Sequence, residues 1–250
     1  HSNTSIPKKR RRRSKYKKMA GIMRGGGGGG VSLLDINNPS SPLQSLFSSF
    51  LPNRAPPAGA MVVDDSPKVK VQVSIEALCI DSKHFILNDL IPTYHLLGSN
   101  IIDLELLPFG NAKITPTTPN NNKQQQSIKC QHGKAECDAN SYEQCLIATY
   151  PNPPDYLPAI ECLFQTLPMG YSDNTFNTNM FQDCSVGLDF TKIRSCHEDE
   201  GEAWKLQLDN YERTPVDHTH VPWVTVNGEY LDEEKEKLDV GICSAFVKGG

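Results

Sequence analysis

Val69, Val71, Val73 and Ile75 alternate with Lys70, Gln72, Ser74 and Glu76. A period of two over eight residues predicts a strand with one face buried. Beyond Cys79, the apolar residues Phe85, Ile86, Leu90, Tyr94 and Leu97 recur at roughly helical spacing. Pro92 predicts a kink in that helix or the start of its second half. Ile102, Leu104 and Leu106 then alternate with Asp103 and Glu105, a second strand that stops at "PFGN". Strand, helix and strand joined by one crossover predict a parallel pair with right-handed connection.

The chain downstream is less regular. "ITPTTPNNNKQQQSIK" (114–129) is polar and broken by proline, and is expected to be a surface loop. From Cys137 to about Tyr211, helical stretches such as "SYEQCLIATY" and "EAWKLQLDNYE" alternate with expected loops at "PNPPDYLP" and "MGYSDNTFNTN". "HVPWVTVNGEYLD" predicts a strand and hairpin, with Val224 and Val226 on one face and a type I′ turn at Asn227-Gly228. Leu238, Ile242 and Phe246, four apart, predict a closing helix. The order β-α-β, helical insertion, β-β-α is an α/β architecture of thioredoxin type with a large insertion in its middle.

Composition divides the chain. Residues 1–24 hold ten Lys or Arg and no acid, which leaves 15 basic against 29 acidic residues in the remainder, near −14. "KKRRRRSKYKK" has the composition of an import or nucleic-acid tail. No aromatic platform or folded motif accompanies it, so it reads as a solvated arm and no nucleic-acid partner is expected. Gly25 to Gly30 is a spacer, and 31–66 is rich in Ser, Pro and Asn, with one short amphipathic cluster at "LQSLFSSFL". Residues 1–66 are therefore expected to be disordered and the folded domain to cover 68–247. The chain opens on His1, with Met19 a candidate start. No run reaches the ~18 apolar residues of a membrane span, and no signal peptide is readable.

Eight cysteines lie between Cys79 and Cys243, many for a reducing compartment. Cys79 ends the first strand and begins the helix. Unpaired N–H groups and the helix dipole there favour an anion, which lowers a thiol pKa and supplies a nucleophile for disulfides. Val221-Pro222 stands just before a strand, where thioredoxin-like folds place a cis proline beside the active cysteine. An ordinary strand-entry proline is the plainer alternative. "CQHGKAECDANSYEQC" (130–145) admits two readings. Cys130, His132, Cys137 and Cys145 could form a tetrahedral zinc site, but the spacing lacks the close Cys-x₂₋₄-Cys knuckle. Structural disulfides pinning the insertion to the core are preferred, and no metal or cofactor is assigned.

That run resembles the signature of the gamma-interferon-inducible lysosomal thiol reductase family, C-Q-H-G-x₂-E-C-x₂-N-x₄-C. Cys130, Gln131, His132, Gly133, Glu136, Cys137, Asn140 and Cys145 fall on its fixed positions. "EALC", "LLPFGNA" and "HVPWVTVNG" are similar as well, so the likeness spans about 68–247. It implies a thioredoxin-like fold with a disulfide-stabilised helical insertion. It implies reduction of protein disulfides, and a lysosomal, vacuolar or secreted location. The family's catalytic Cys-x-x-Cys falls here on Cys79 and Ser82, "CIDS", as in a plant-like member with a Cys-x-x-Ser motif.

A dithiol reductase forms a mixed disulfide with its first cysteine and releases it with its second. Cys79 can take the first step; Ser82 cannot take the second, although its hydroxyl can hydrogen-bond the Cys79 thiolate. Three outcomes stand open: resolution by an external thiol such as glutathione or cysteine, a trap that binds without turnover, or resolution by another cysteine. Cys130, Cys137, Cys145, Cys162, Cys184, Cys196 and Cys243 are the candidates for structural bridges, and three bridges leave one over. Asp81 both complements the helix dipole and opposes a neighbouring thiolate. His132 reads as structural, and His218 and His220 as surface residues or proton shuttles. Cys79, Ser82 and Pro222 are the expected site, acting on disulfide-containing proteins.

Overall fold

The computed structural model describes residues 67–116, 126–167, 169, 177–232 and 235–249. The basic arm, the "LQSLFSSFL" cluster and the expected boundary near 66 lie outside the described residues.

A four-stranded sheet forms the frame. β1 (Val69–Ile75) lies between β2 (Ile102–Pro108), to which it is parallel, and β5 (Trp223–Val226), to which it is antiparallel. β6 (Glu229–Tyr230) closes the edge through a hairpin whose turn residues Asn227 and Gly228 both have positive φ, 50° and 85°. Two successive left-handed residues are what a type I′ turn requires. In β1 the alternation holds through Val73 and then stops, because Ser74 and Ile75 are both buried. β2 repeats this pattern. One sheet face is thus open at the start of the two strands and covered at their ends, where the helices of the insertion pack on β2.

The opposite face packs on α1 (Ile80–Phe85), α2 (Ile91–Leu97) and α8 (Leu238–Gly249). Val71, Val73, Ile75, Ile86 and Ile242 are fully enclosed there, each worth about 1.5–3 kcal/mol of burial. The Pro92 kink takes the form of a π-helical turn over Ile86–Leu90, in which the Ile91 N–H reaches back to the Ile86 carbonyl. Proline has no N–H to give its fourth-preceding carbonyl and its ring crowds that oxygen, so one widened turn just before it lets the helix continue.

Two expected loops contain regular elements. β3 (Lys113–Pro116) pairs antiparallel with β4 (Gln126–Lys129), with Ile114 opposite Ile128. Both isoleucines pack against Phe109, Ala112 and Cys130, which draws the ends of the polar stretch into a ladder. "PNPPDYLP" likewise opens α4 (Pro153–Thr166). Prolines in a first turn remove N–H groups that have no helical partner anyway, and their fixed φ suits the helix. The other inserted helices are α3 (Lys134–Thr149), α5 (Thr178–Cys184), α6 (Phe190–Glu198) and α7 (Glu200–Arg213). Bridges join Cys130 to Cys137, Cys145 to Cys196 and Cys162 to Cys184. All three lie within the insertion, so none pins it to the core as expected from the sequence. Cys243, a candidate for bridging, is free, as is Cys79. It sits on α8 in the frame, away from the helices that carry its potential partners.

Candidate active site

Cys79 caps α1 with extended backbone angles (φ −80°, ψ 125°), and its carbonyl accepts the Lys83 N–H at 3.0 Å. The turn before it closes when the Cys79 N–H donates to the Glu76 carbonyl, 3.2 Å away. Its Sγ lies 4.0 Å from the Val221 carbonyl oxygen, and the Val221-Pro222 bond is cis. The fold thereby brings together residues 142 positions apart in sequence. Cys79 is only 7% exposed, and the neighbouring Ile80 is half exposed.

Ser82 is fully buried one turn into α1. Its Oγ accepts the Glu76 N–H at 3.2 Å, which leaves the hydroxyl proton to donate to the Cys79 sulfur. Burial pushes the Cys79 thiol up. The Ser82 N–H, the Ser82 hydroxyl and the Asp81 N–H pull it down, and the charge of Glu76 pushes it up again; the net is upward. The helix-start donors expected to lower this thiol are present, but burial outweighs them. The opposing charge belongs to Glu76 rather than to the side chain of Asp81.

The signature residues brace the turn that carries the thiol. Asn140 Oδ1 accepts the Ala77 N–H at 2.9 Å. Gln131 Oε1 accepts from Asn111 Nδ2 at 3.0 Å. His132 donates its backbone N–H to Glu136 Oε1 (3.0 Å), while its Nδ1 meets Glu136 Oε2 at 2.5 Å and lies 3.6 Å from Glu76 Oε2. Glu76 Oε1 accepts the Asn111 N–H at 2.7 Å. Gly110, with φ +55°, makes room for that carboxyl, since a Cβ there would stand 2.5 Å from Glu76 Cγ. Burial, then the negative charge of Glu136, raise the Glu76 carboxyl from 4.5 to about 8, against the lowering effect of Asn111. Glu143, on the same helix as Glu136, is wholly buried without a hydrogen-bond partner among the described residues, and burial, then the charge of Glu136, hold it well above the carboxylate range.

The zinc alternative fails on its donors, because Cys130, Cys137 and Cys145 are all in bridges. Glu76, His132 and Glu136 do bring donor atoms within 4.8 Å of one another. The 2.5 Å contact between His132 and Glu136 is a direct hydrogen bond, shorter than the ~3.3 Å between two ligands around a zinc at its usual bond lengths. The trio is a buried cluster in which the imidazole stands between two carboxyls. His218 bonds the Pro215 carbonyl within its own loop, and His220 packs edge-on against Trp223 at 5.2 Å.

Residues 70–188 match the family model described as gamma interferon inducible lysosomal thiol reductase (GILT). The gamma-interferon-responsive lysosomal thiol protein of Arabidopsis thaliana is 30% identical over 193 residues, 74% of either chain. The chain belongs to the GILT family. The gamma-interferon-inducible lysosomal thiol reductase of Carassius auratus is also 30% identical, over 71% of this chain and 68% of its own. Among solved structures, Bacillus subtilis BdbD aligns with a TM-score of 0.53 at 14% identity, covering 74% of this chain and 89% of its own. Chlamydia trachomatis DsbA aligns at 0.50 and 11% identity, over 79% and 96%. These likenesses establish the fold, and GILT membership makes the chain a thiol–disulfide oxidoreductase. Among the described residues, no helix is long and apolar enough to cross a membrane.

Glu76 and Glu143 are the site residues that sequence reasoning missed. Glu76 had a signal: it is an acid directly followed by Ala77 and Leu78, in a segment that must be buried to present Cys79.

Proposed function

We propose that this GILT protein reduces protein disulfides through one sulfur, Cys79 Sγ, and that an external monothiol completes the cycle. The observation that carries this reading is a free thiol at a helix start with a buried serine, not a second thiol, one turn on. Six of the other cysteines are bridged. Cys243 stands near Asp239. Asp239 in turn faces Asp89, nine residues along the helical stretch from Ile80, or about 14 Å at 1.5 Å per residue.

The Cys79 thiolate attacks one sulfur of a substrate disulfide, forming a mixed disulfide and expelling the other sulfur as a thiolate. A glutathione or cysteine thiolate then attacks Cys79 Sγ and releases the second substrate thiol. A second equivalent frees Cys79 and leaves as the oxidised dimer, so two external thiols supply the two electrons. Ser82 orients a hydrogen bond to the sulfur through both steps, and the Val221-Pro222 loop walls the groove that receives the substrate.

A second reading, a trap without turnover, is favoured by the slight exposure of Cys79 and the upward shift of its thiol. One assay separates the two. With a disulfide substrate alone, the Cys79 adduct accumulates; glutathione clears it with product release in the reductase and without catalytic turnover in the trap. Cys79→Ser abolishes the adduct, and Ser82→Cys shortens its lifetime. Full-speed turnover by both the native protein and Cys79→Ser, without added thiol, would overturn the single-sulfur reading.

The place of work is an acidic compartment of the secretory route, lysosome or vacuole. Support comes from three bridges in the fold and from carboxyls that stay protonated above the usual range. Immunolocalisation together with the pH dependence of folding tests it.

A further inference from the structure

The carboxyl of Glu76 and the thiol of Cys79 flank one residue. Glu76 Cγ and Oε1 press on the space above Gly110, and Val221 Cγ1 stands 3.0 Å from the same point. The Val221 carbonyl is the group 4.0 Å from Cys79 Sγ. The two side chains also share a backbone turn, through Cys79 N–H to Glu76 carbonyl and Glu76 N–H to Ser82 Oγ. Facing the carboxyl are the Asn111 N–H, His132 from the loop before α3, and Glu136 of α3, with Glu143 beyond it. Facing the thiol are the N–H groups of Asp81 and Ser82, the Ser82 hydroxyl and the Val221 carbonyl.

We propose that Glu76 and Cys79 ionise as one coupled pair, so that the buried turn takes on at most a single negative charge, on either the carboxylate or the sulfur, with His132 and Glu136 of the signature setting the balance. This rests on Cys79 being the reactive thiol. Glu76 is thus a positioning residue for charge: it governs when the sulfur is a nucleophile without touching substrate. Two like charges in a low-dielectric turn oppose each other. The thiolate forms beside a neutral carboxyl, and as Glu76 ionises the second charge is resisted. Within the pair, Cys79-SH and Glu76 carboxylate exchange one proton to give Cys79 thiolate and Glu76 carboxylic acid. When the thiolate attacks a substrate disulfide, the new S–S bond leaves Cys79 uncharged. Glu76 can then release its proton, through solvent, to the expelled thiolate. The shifts of both groups agree in direction, since each is raised by burial and the charge of Glu76 adds to that of Cys79.

The test is iodoacetamide alkylation of Cys79, resolved by peptide mass spectrometry in a Cys243→Ser background of the full chain, from pH 5 to 10. The rate climbs with pH and bends near pH 8, where Glu76 ionises. Glu76→Gln, which keeps the Asn111 hydrogen bond, climbs without that bend: within about twofold of the parent near pH 6 and at least about threefold faster near pH 9. Glu136→Gln moves the bend to lower pH. In reciprocal fashion, Cys79→Ser lowers the pH at which the Glu76 carboxyl band ionises in the infrared spectrum. A folded Glu76→Gln whose profile overlays that of the parent overturns the coupling; if that variant does not fold, an unmoved bend in Glu136→Gln does so. Alkylation needs neither substrate nor turnover, so failure of the reductase reading leaves this result distinct.

Discussion

The sheet frame of β1, α1, α2, β2, β5, β6 and α8 holds two cysteines, both free, whereas the insertion holds six, all bridged. The two regions share one continuous apolar core, which runs from Val71, Val73, Ile86 and Ile242 of the frame to Tyr142, Leu146, Ile160 and Phe164 of the insertion. The insertion includes helices of seven and nine residues, too short to be stable without tertiary support, and it is in this region that the bridges occur. Beyond that shared core, polar contacts rather than sulfur tie the two: Asn140 to Ala77, Gln144 Nε2 to the Pro108 carbonyl at 2.6 Å, His132 to Glu76, and Arg213 to Glu105 at 2.8 Å. On the proposed reading, the exchanging sulfur lies in one region and the structural sulfurs in another. The separation lets the bridges be cut without touching the Cys79 thiol.

The largest expected effect is on the insertion alone. Cys145–Cys196 closes a 51-residue span, which the loop-entropy relation values at about 4 kcal/mol. Replacing both cysteines with serine costs about that much in urea unfolding. Hydrogen exchange shows lost protection in α3 and α6 while β1 and β2 keep theirs. Equal loss in both regions would dissolve the comparison. Opening Cys130–Cys137, separated by seven residues, costs about 2 kcal/mol on the same relation.

Next is the acid cluster where the regions meet. Glu76 holds its proton in the fold up to about pH 8 but loses it near 4.5 when unfolded. Between those values the folded state binds more protons. Its contribution is full below 4.5 and is lost as pH rises to about 8. Glu143 acts with the same sign. Thermal melts are expected to fall over that window, and Glu76→Gln to flatten the fall. Glu105 behaves oppositely: burial raises it, but the Gln72 hydrogen bond and the charges of Arg213 and Lys70 outweigh that and lower it. Its support fades only in acid, as the pH falls from 4.5 through its lowered value.

The frame was legible because its signals are local. Alternation in β1 and β2, the Asn227-Gly228 turn and the spacing of the last helix each specify one element. The signature was legible as a pattern, but its service to Glu76 and Ala77 was not, because those contacts join segments more than fifty residues apart. The bridging partners were hidden for the same reason: Cys145 and Cys196 meet only once α3 and α6 pack. Proline misled the reading of α4, where a residue that usually breaks helices starts one. For the thiol, helix position and the charge of Asp81 pull in opposite directions and leave the net open in the sequence, while burial, which no local pattern reports, decides its direction.

A smaller effect of about 2 kcal/mol is expected from Asn140→Ala. The Ala77 N–H loses its acceptor at a fully buried position, and an unsatisfied buried donor costs about 1–3 kcal/mol. Because Ala77 lies in the turn that presents Cys79, this substitution also slows Cys79 alkylation at fixed pH, without moving the bend near pH 8. That outcome separates bracing of the turn from control of its charge.

The smallest effect concerns another of these ties between the regions. Arg213 is 43% exposed and bridges Glu105 on β2 to Asp209 on its own helix. Water screens such a pair, and exposed ion pairs are typically worth about 0.2–1 kcal/mol. Glu105 would still have Lys70, 3.2 Å away, and the Gln72 amide, 2.6 Å away. Arg213→Ala is therefore expected to cost less than about 1 kcal/mol in urea unfolding at low salt, and less again at high salt, with Cys79 alkylation unchanged. If it cost as much as Asn140→Ala, the insertion would be anchored as firmly at its exposed end as at the thiol. The bracing of Cys79 would then be one contact among equals, and the signature would have no special hold on the site.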